Sequence, residues 1–430
     1  MKKQFKRNIK WDRLDNTALV FPVVAGENLT NVYRVSATLK EMVDKDVLQE
    51  ALEIVLPKFP MFNIRMRTGV FWYYFEENGK PVPDVVEEDM FPCRYIHDSK
   101  NRSYLFRVTF FEKRINLEVF HAVTDGMGAL TFLKELVCQY IAIKHHFTIE
   151  DKDGYLSKEV SLSKEDGFLK NYREARKKSY KKGRAFGIRG ERLQPGEFGV
   201  IHGHMNVPQL KAVAEKYGVT LNELLVATYM YAIYHEKLNG KIEKRPIRVA
   251  VPVNLRSMFS SNTMKNFFAV VSAELYADTR DGYTFLQVLE ATKNSLREQI
   301  TKENLEAIFS YNVSNEKVWI ARAVPLPLKN FCIKLVYNNT ALANTTTMTN
   351  IGNQKLPEEY REYVDYFYGL LAMSKGQFLK GTICSTGDDM VVSFTSMLTD
   401  TGIQRCFFAT LAEEEIDIQI ETNGVYNGLL

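Results

Sequence analysis

The stretch His121-Ala-Val-Thr-Asp-Gly126 decides how the rest of the chain is read. Upstream of it, Ser103–Phe111 and Ile115–Phe120 are rich in β-branched and aromatic residues and read as two strands. Downstream, Leu130, Leu133, Val137 and Tyr140 recur at helical spacing and predict a helix with one buried stripe. HAVTDGMG (121–128) is then a loop at a strand-to-helix corner, where Gly126 gives the backbone a turn that most residues resist. Such a corner presents an imidazole at the edge of a sheet. Histidine takes and returns protons near neutral pH, so His121 is a candidate general base. Taken alone the signal is weak, because a single histidine is more often structural and Asp-Gly is often only a turn.

Working outward, Val47, Leu48, Ala51, Leu52, Val55 and Leu56 predict an amphipathic helix stopped by Pro57 and Pro60. Val70, Trp72 and Tyr74 alternate as in a strand and lead into Glu77-Asn78-Gly79, a tight hairpin turn by composition. From about 146 to 200 the chain turns polar and loses its apolar period, as in a crossover between two lobes. Beyond it, Thr220 is the natural N-cap of a helix over 221–235. Ile247–Asn254 reads as a strand followed by Leu255-Arg256, with further strands at Phe267–Leu275 and Met390–Leu398. No internal repeat is evident. The irregular alternation favours an α/β or α+β sandwich of two lobes over a simple βαβ series.

Composition narrows the function classes. Among 430 residues, 45% are apolar and 25% charged, which excludes a disordered or fibrous chain. The net charge of +4 is too modest for a dedicated nucleic-acid binder. It is also uneven. Arg173–Arg192 holds nine basic and two acidic residues, a local +7, so the remainder sums to −3. This stretch is either a solvated crossover or an attractor for phosphates. The basic start, Lys2–Lys10, could touch a membrane surface or be a loose end. No transmembrane segment is expected, since the most apolar run (Leu224–Ile233) is short and the start lacks the apolar core of a secretion signal. Cys93, Cys138, Cys332, Cys384 and Cys406 form no CxxC pair, so the expectation is a reducing, cytoplasmic setting with no disulfide framework.

HAVTDG resembles the HxxxDG motif of the chloramphenicol acetyltransferase-like superfamily of acyltransferases. Other segments agree in order along the chain. Leu52–Arg67 (LEIVLPKFPMFNIRMR) is similar to the family's early helix and strand, and Lys216–Thr228 (KYGVTLNELLVAT) to the helix opening the second lobe. Val251–Phe259 (VPVNLRSMF) resembles a second-lobe strand ending in an arginine. Thr349–Pro357 (TNIGNQKLP) looks like the crossover segment, and Val391–Asp400 (VVSFTSMLTD) like a late strand near the channel. The likeness spans most of the chain and is closest to the alcohol O-acetyltransferase and condensation-domain branch. Two features differ from relatives: Phe120 stands where condensation domains carry a second histidine, and the DFGWG motif of the plant enzymes is absent. A stand-alone acyltransferase is expected rather than a peptide-synthetase module.

The resemblance implies a fold of two α/β lobes, each a mixed sheet flanked by helices, with a tunnel at their interface. Residues 1–150 would form the lobe carrying HxxxDG, 151–200 a basic linker and 201–430 the second lobe. It implies His121 as catalytic base, and Asp125 as a structural partner for Arg256 of the other lobe. Gly126 belongs to the same motif. Thr395 or Ser396 would donate to the oxyanion, though both fit equally as polar residues of a strand. Asn254 and Asn266 would shape the channel or simply end strands. The implied reaction moves an acyl group from a thioester, acyl-CoA as cosubstrate, to a small-molecule alcohol or amine, with no permanent cofactor. A carrier-protein thioester donor and a catalytically silent cleft-binding relative are the alternatives. No metal is expected: His121 and Asp125 fall short of the three protein ligands a catalytic zinc takes, and His145-His146 and His202/His204 sit in polar stretches expected to be solvated.

Overall fold

The computed structural model describes residues 11–97, 99–147, 165–174, 182–317 and 324–426. Two large sheets face one another across the molecule. The first has five strands in the order β12 (Val364–Leu371), β2 (Val32–Leu39), β7 (Arg114–Phe120), β6 (Phe106–Phe111) and β5 (Val86–Glu87). Its pairs are antiparallel except β5 with β6. The helix Lys45–Val55 starts on an Asp44 cap and buries Leu48, Ala51, Leu52 and Val55. It packs with the helix Gly126–Lys144 over this sheet. A small sheet of β1 (Trp11–Arg13), β4 (Tyr73–Glu77) and β3 (Ile64–Thr68) lies apart from it.

The second sheet has seven strands. Their order is β10 (Phe268–Ala277), β9 (Glu243–Asn254), β11 (Thr346–Asn353), β13 (Leu379–Thr386), β14 (Asp389–Ser396), β8 (Gly199–Asn206) and β15 (Ile418–Thr422). β11 runs parallel to both neighbours and the other pairs are antiparallel, so the sheet is mixed. The helices Leu221–Lys237, Phe285–Gln299 and Gly402–Ala412 pack together, the first two also against its β9–β10 end. Thr220 caps the first of these, as the sequence predicts, and Glu223 completes a reciprocal box with it.

β12 ties the sheets together. It pairs with β2 through its backbone, while hydroxyls of the second lobe bond to it from the side. Thr395 Oγ1 donates to Leu371 O at 2.9 Å, Thr382 Oγ1 donates to Gly369 O, and Phe367 N donates to Thr386 Oγ1 at 3.0 Å. The first sheet thus takes an edge strand from residues 364–371, inside the range assigned to the second lobe, and a single cut of the chain does not separate the lobes.

Several local expectations change. The hairpin turn falls at 69–72, where Gly69 N bonds Trp72 O, and not at Asn78-Gly79. Asn78 is instead a buried anchor whose amide donates to Arg102 O at 3.0 Å. The 126–144 helix is buried nearly all round, from Gly128 through Ala142, and is not one-striped. By length and composition it is apolar enough to cross a membrane, and 78% of that window is buried within the fold. Gly126 is an ordinary helical residue; it is Gly128 where a Cβ would meet Thr124 Oγ1 at 1.9 Å. His202 and His204 lie on β8, held by Ser393 at 2.7 Å and Asp389 at 3.2 Å, and His145 bonds Glu41 at 2.8 Å; none is simply solvated. Lys2–Lys10 and Arg176–Lys181 of the basic stretch lie outside the described residues.

Across β6, β7 and β2, the register sets Arg107 and Arg34 on either side of Glu118. Glu118 is buried, and both guanidiniums bind it, Arg34 Nε at 2.8 Å. Cys93 N adds a further donor at 2.6 Å. Removing one member of a buried network strands the others. Glu118→Ala is therefore expected to cost about 3–5 kcal/mol of stability, read from the urea midpoint at unchanged slope. A loss within the ~0–1 kcal/mol of an exposed ion pair would contradict this account of the sheet.

Candidate active site

β7 delivers the chain to His121, whose backbone N–H is held by Asn31 O at 2.9 Å. The next four residues form the turn, and Asp125 caps the helix by accepting from Gly128 N at 3.3 Å. Tyr33 OH, from β2, reaches the carbonyls of Thr124 at 3.0 Å and Asp125 at 2.8 Å. Thr124 Oγ1 donates to Met264 O of the second lobe. The loop is thus fixed from both sides.

Asp125 faces away from His121 and binds Arg256. Arg256 Nη1 donates to Asp125 Oδ2 at 2.8 Å and Nη2 to Oδ1 at 3.1 Å, a two-pronged pair between lobes. Both side chains are largely buried. Asp125 Oδ2 also accepts from Phe267 N at 3.0 Å. The rest of the guanidinium is used too: Nε reaches Thr263 O at 2.9 Å and Nη2 reaches Lys265 O at 2.7 Å. Asn254 Oδ1 accepts from Arg256 N at 3.0 Å, so Asn254, though on the cavity wall, is committed to holding the arginine.

Asn266 does more than end a strand. Its Nδ2 donates to Asp15 Oδ2 at 3.0 Å and to His121 O at 3.2 Å. The His121 carbonyl can only accept, so the amide orientation is settled by chemistry. Its Oδ1 therefore faces His121 Nδ1, at 3.1 Å, and Nδ1 must carry the proton. The lone pair is left on Nε2, which makes no hydrogen bond to another described residue. The ring is stacked on Phe21 with centroids 4.7 Å apart and sits beside Tyr33 at 4.8 Å and Phe268 at 5.9 Å. Burial pulls its pKa below the ordinary histidine value, while bonds to its own carbonyl and Asn266 work the other way. The net direction favours neutral imidazole.

Asp15 was invisible in the sequence: it lies in a polar run, Asp12–Thr17, with no motif around it. In the fold it is buried, caps Ala18 N at 2.8 Å and receives both N–H groups of Asn266. Burial pushes its carboxyl up to about 7, with these donors pulling the other way.

His121 opens on a cavity of about 1480 Å³ between the two sheets. Tyr33, Val35 and Leu370 line it from the first sheet, and Pro252, Phe268 and Thr382 from the second. The helix Leu326–Thr340 closes another side through Leu326 and Ile333. Asp125, Gly126, Asn254 and Arg256 border the same space. Thr395 and Ser396 do not line it. Thr395 is spent on β12, and Ser396 Oγ accepts from Leu398 N at 3.0 Å, so neither is placed as an oxyanion donor. Of the basic stretch, Arg173 reaches Glu306 at 3.5 Å, Lys182 reaches Glu274 at 3.5 Å, and Arg192 stacks over Phe378 at 4.1 Å. Among the described residues, three metal-ligand atoms come within 4.8 Å of one another only at His235, Glu236 and Cys406, which do not line the cavity.

The interlobe pair generates a stability prediction. Arg256→Ala leaves the buried Asp125 without its counter-charge and should cost about 3–5 kcal/mol. The check is a melting temperature lowered by several degrees; an unchanged melting temperature would show that the pair does not hold the lobes.

No protein-family model and no curated protein matches the chain. Solved structures match it along nearly its whole length. F. graminearum TRI101, complexed with ethyl coenzyme A, aligns with a TM-score of 0.62 at 10% identity, over 96% of this chain and 99% of that one. The trichothecene 15-O-acetyltransferase TRI3 of Fusarium sporotrichioides gives 0.59 at 12% identity, over 94% of each. The starter condensation domain of rhizomide synthetase, in complex with C8-CoA, gives 0.58 at 12% identity, over 95% and 98%. The chain therefore has the two-lobed, chloramphenicol acetyltransferase-like fold that these acetyltransferases and condensation domains share.

Proposed function

We propose that the protein transfers an acyl group from a thioester, most simply acyl-CoA, to a hydroxyl or amine of a small molecule, with His121 as general base. The observation that carries this is the state of the imidazole. Asn266 holds the proton on Nδ1, burial keeps the ring neutral, and the ring borders a cavity large enough for two reactants. Acetyltransferases and a condensation domain of the same fold, solved with coenzyme A derivatives, support the donor class.

In this reading the two reactants meet at His121 from opposite ends of a tunnel. Nε2 takes the acceptor proton as the acceptor oxygen or nitrogen attacks the thioester carbonyl. The tetrahedral intermediate collapses, the carbon–sulfur bond breaks, and the imidazolium returns the proton to the leaving thiolate. No covalent enzyme intermediate is needed. Asp125 takes no proton; it positions the loop through Arg256. Asp15 fixes the orientation of Asn266 and through it the histidine tautomer. A reducing cytoplasm is the proposed setting, in keeping with five cysteines that are all free.

The test incubates purified protein with a panel of acyl-CoAs and alcohols or amines and follows free thiol release. His121→Ala should remain folded and lose acceptor-dependent release by roughly 10²–10⁴-fold, the usual worth of a general base. Full retention would remove His121 from the reaction. Asp15→Asn is a subtler probe. It places an amide N–H₂ against either Ala18 N or the N–H groups of Asn266, and the second clash loosens the Asn266 contact that holds the proton on His121 Nδ1. A rate loss of about 10–100-fold at unchanged KM is expected, smaller than for His121→Ala; unchanged kcat would show that the Asp15–Asn266 contact does not act on the imidazole.

A further inference from the structure

Among the described residues, one buried cation on the cavity wall has no carboxylate partner. Lys380, on β13, is 7% exposed and lines the cavity. Its Nζ donates to Ser374 Oγ, itself on the wall. No carboxylate among the described residues lies within ion-pair distance of it. The other buried cations of the cavity are neutralised: Arg34 by Glu88 and Glu118, and Arg256 by Asp125. Lys265, also buried, is held by Asp12 at 2.9 Å. Lys380 therefore stands apart. The thiol of Cys93 lies in its electrostatic range and is pushed far up by burial, so it supplies no negative charge.

A lysine taken out of water without a partner is costly, and it is stably charged only if an anion meets it. Burial draws the Lys380 amine down to about 8. Its charge also bears on His121, where it lowers the imidazole pKa, which puts the amine within electrostatic reach of the base. Leu370, Leu371 and Met373 line the same cavity, as do the hydroxyl residues Thr347 and Thr382. An ammonium set among such groups discriminates by charge: it attracts an anion and repels a cation in a space of low dielectric.

We propose that Lys380, with Ser374 beside it, is the recognition site for a carboxylate carried by one of the two molecules that meet at His121. The inference rests on acyl transfer only for the source of that carboxylate. It is either the acceptor, then a hydroxy or amino acid, or the acyl group, then a dicarboxylic half-thioester. The chemistry at Lys380 is the same in both: one charge-assisted N–H···O bond pairs with the carboxylate and Ser374 can donate to its second oxygen.

Two pairs of probes separate the sources, measured by calorimetric binding to the intact protein. The first is 3-hydroxydecanoate against its methyl ester; the second is succinyl-CoA against butyryl-CoA. The wild-type protein should prefer the carboxylate member of one pair by about tenfold or more, as expected for a hydrogen bond to a charged group. In Lys380→Met the ratio should fall to about one, and the unfolding temperature should rise because a buried amine has been replaced by an apolar chain. Should the Met variant fail to fold, Lys380→Gln repeats the measurement. No charge preference in either pair, or the same preference in wild type and variant, overturns the proposal. Binding is read without turnover, so the two claims fail separately. A Lys380-dependent preference in a protein that transfers no acyl group would sustain the carboxylate site and remove acyl transfer. Transfer with no charge preference would do the reverse.

Discussion

The structure hangs on one carboxylate. Asp125 ends the HAVTDG loop, and its two oxygens accept four hydrogen bonds: one from its own helix, two from Arg256 and one from Phe267 N. Three of the four come from the other lobe. The loop that carries His121 is thus defined by the contact between lobes and not by the first lobe alone. Arg256 can serve because every arm of its guanidinium is engaged, on Asp125 and on two carbonyls of its own lobe. A lysine in its place could not satisfy that set, being a point charge without a planar fork.

From that anchor the chemistry of the histidine follows in short steps. Fixing the loop fixes the position of His121 against Asn266, which belongs to the second lobe. Asn266 selects the tautomer because its other end is already committed to Asp15. Aromatic rings from three elements pack around the imidazole, and burial favours its neutral form. The setting of His121 is assembled from residues distant in sequence: Asp15 and Asn266 are 251 positions apart and still share a hydrogen bond. The same reasoning explains the place of β12. It belongs by pairing to one sheet and by side-chain bonds to the other, and Gly369, Leu370 and Leu371 on it line the cavity.

Much of this was legible in the sequence, and the pattern of what was not is instructive. The helix over 221–235 and the strand over 247–254 were readable, the first from its Thr220 cap and the second from its apolar, β-branched run. The HxxxDG corner and Arg256 were readable by resemblance. Asn78-Gly79 misled because turn chemistry is local, whereas the Asn78 side chain was wanted for a distant carbonyl. Thr395 and Ser396 misled because a strand residue's face depends on its neighbours, and those neighbours include β12, which no local pattern places there. Asp15 and Lys380 were silent for a deeper reason. Each is a single charged residue in an unremarkable context, and only the tertiary fold shows that it is buried and what it faces.

The most direct test of the account is the protonation state of His121 itself. Nitrogen-15 spectra of the histidine-labelled protein at pH 7, assigned with the His121→Ala variant, report which ring nitrogen carries the proton. The account predicts a neutral ring protonated on Nδ1, with Nε2 bearing the lone pair. A ring protonated on Nε2, or an imidazolium at that pH, would contradict it.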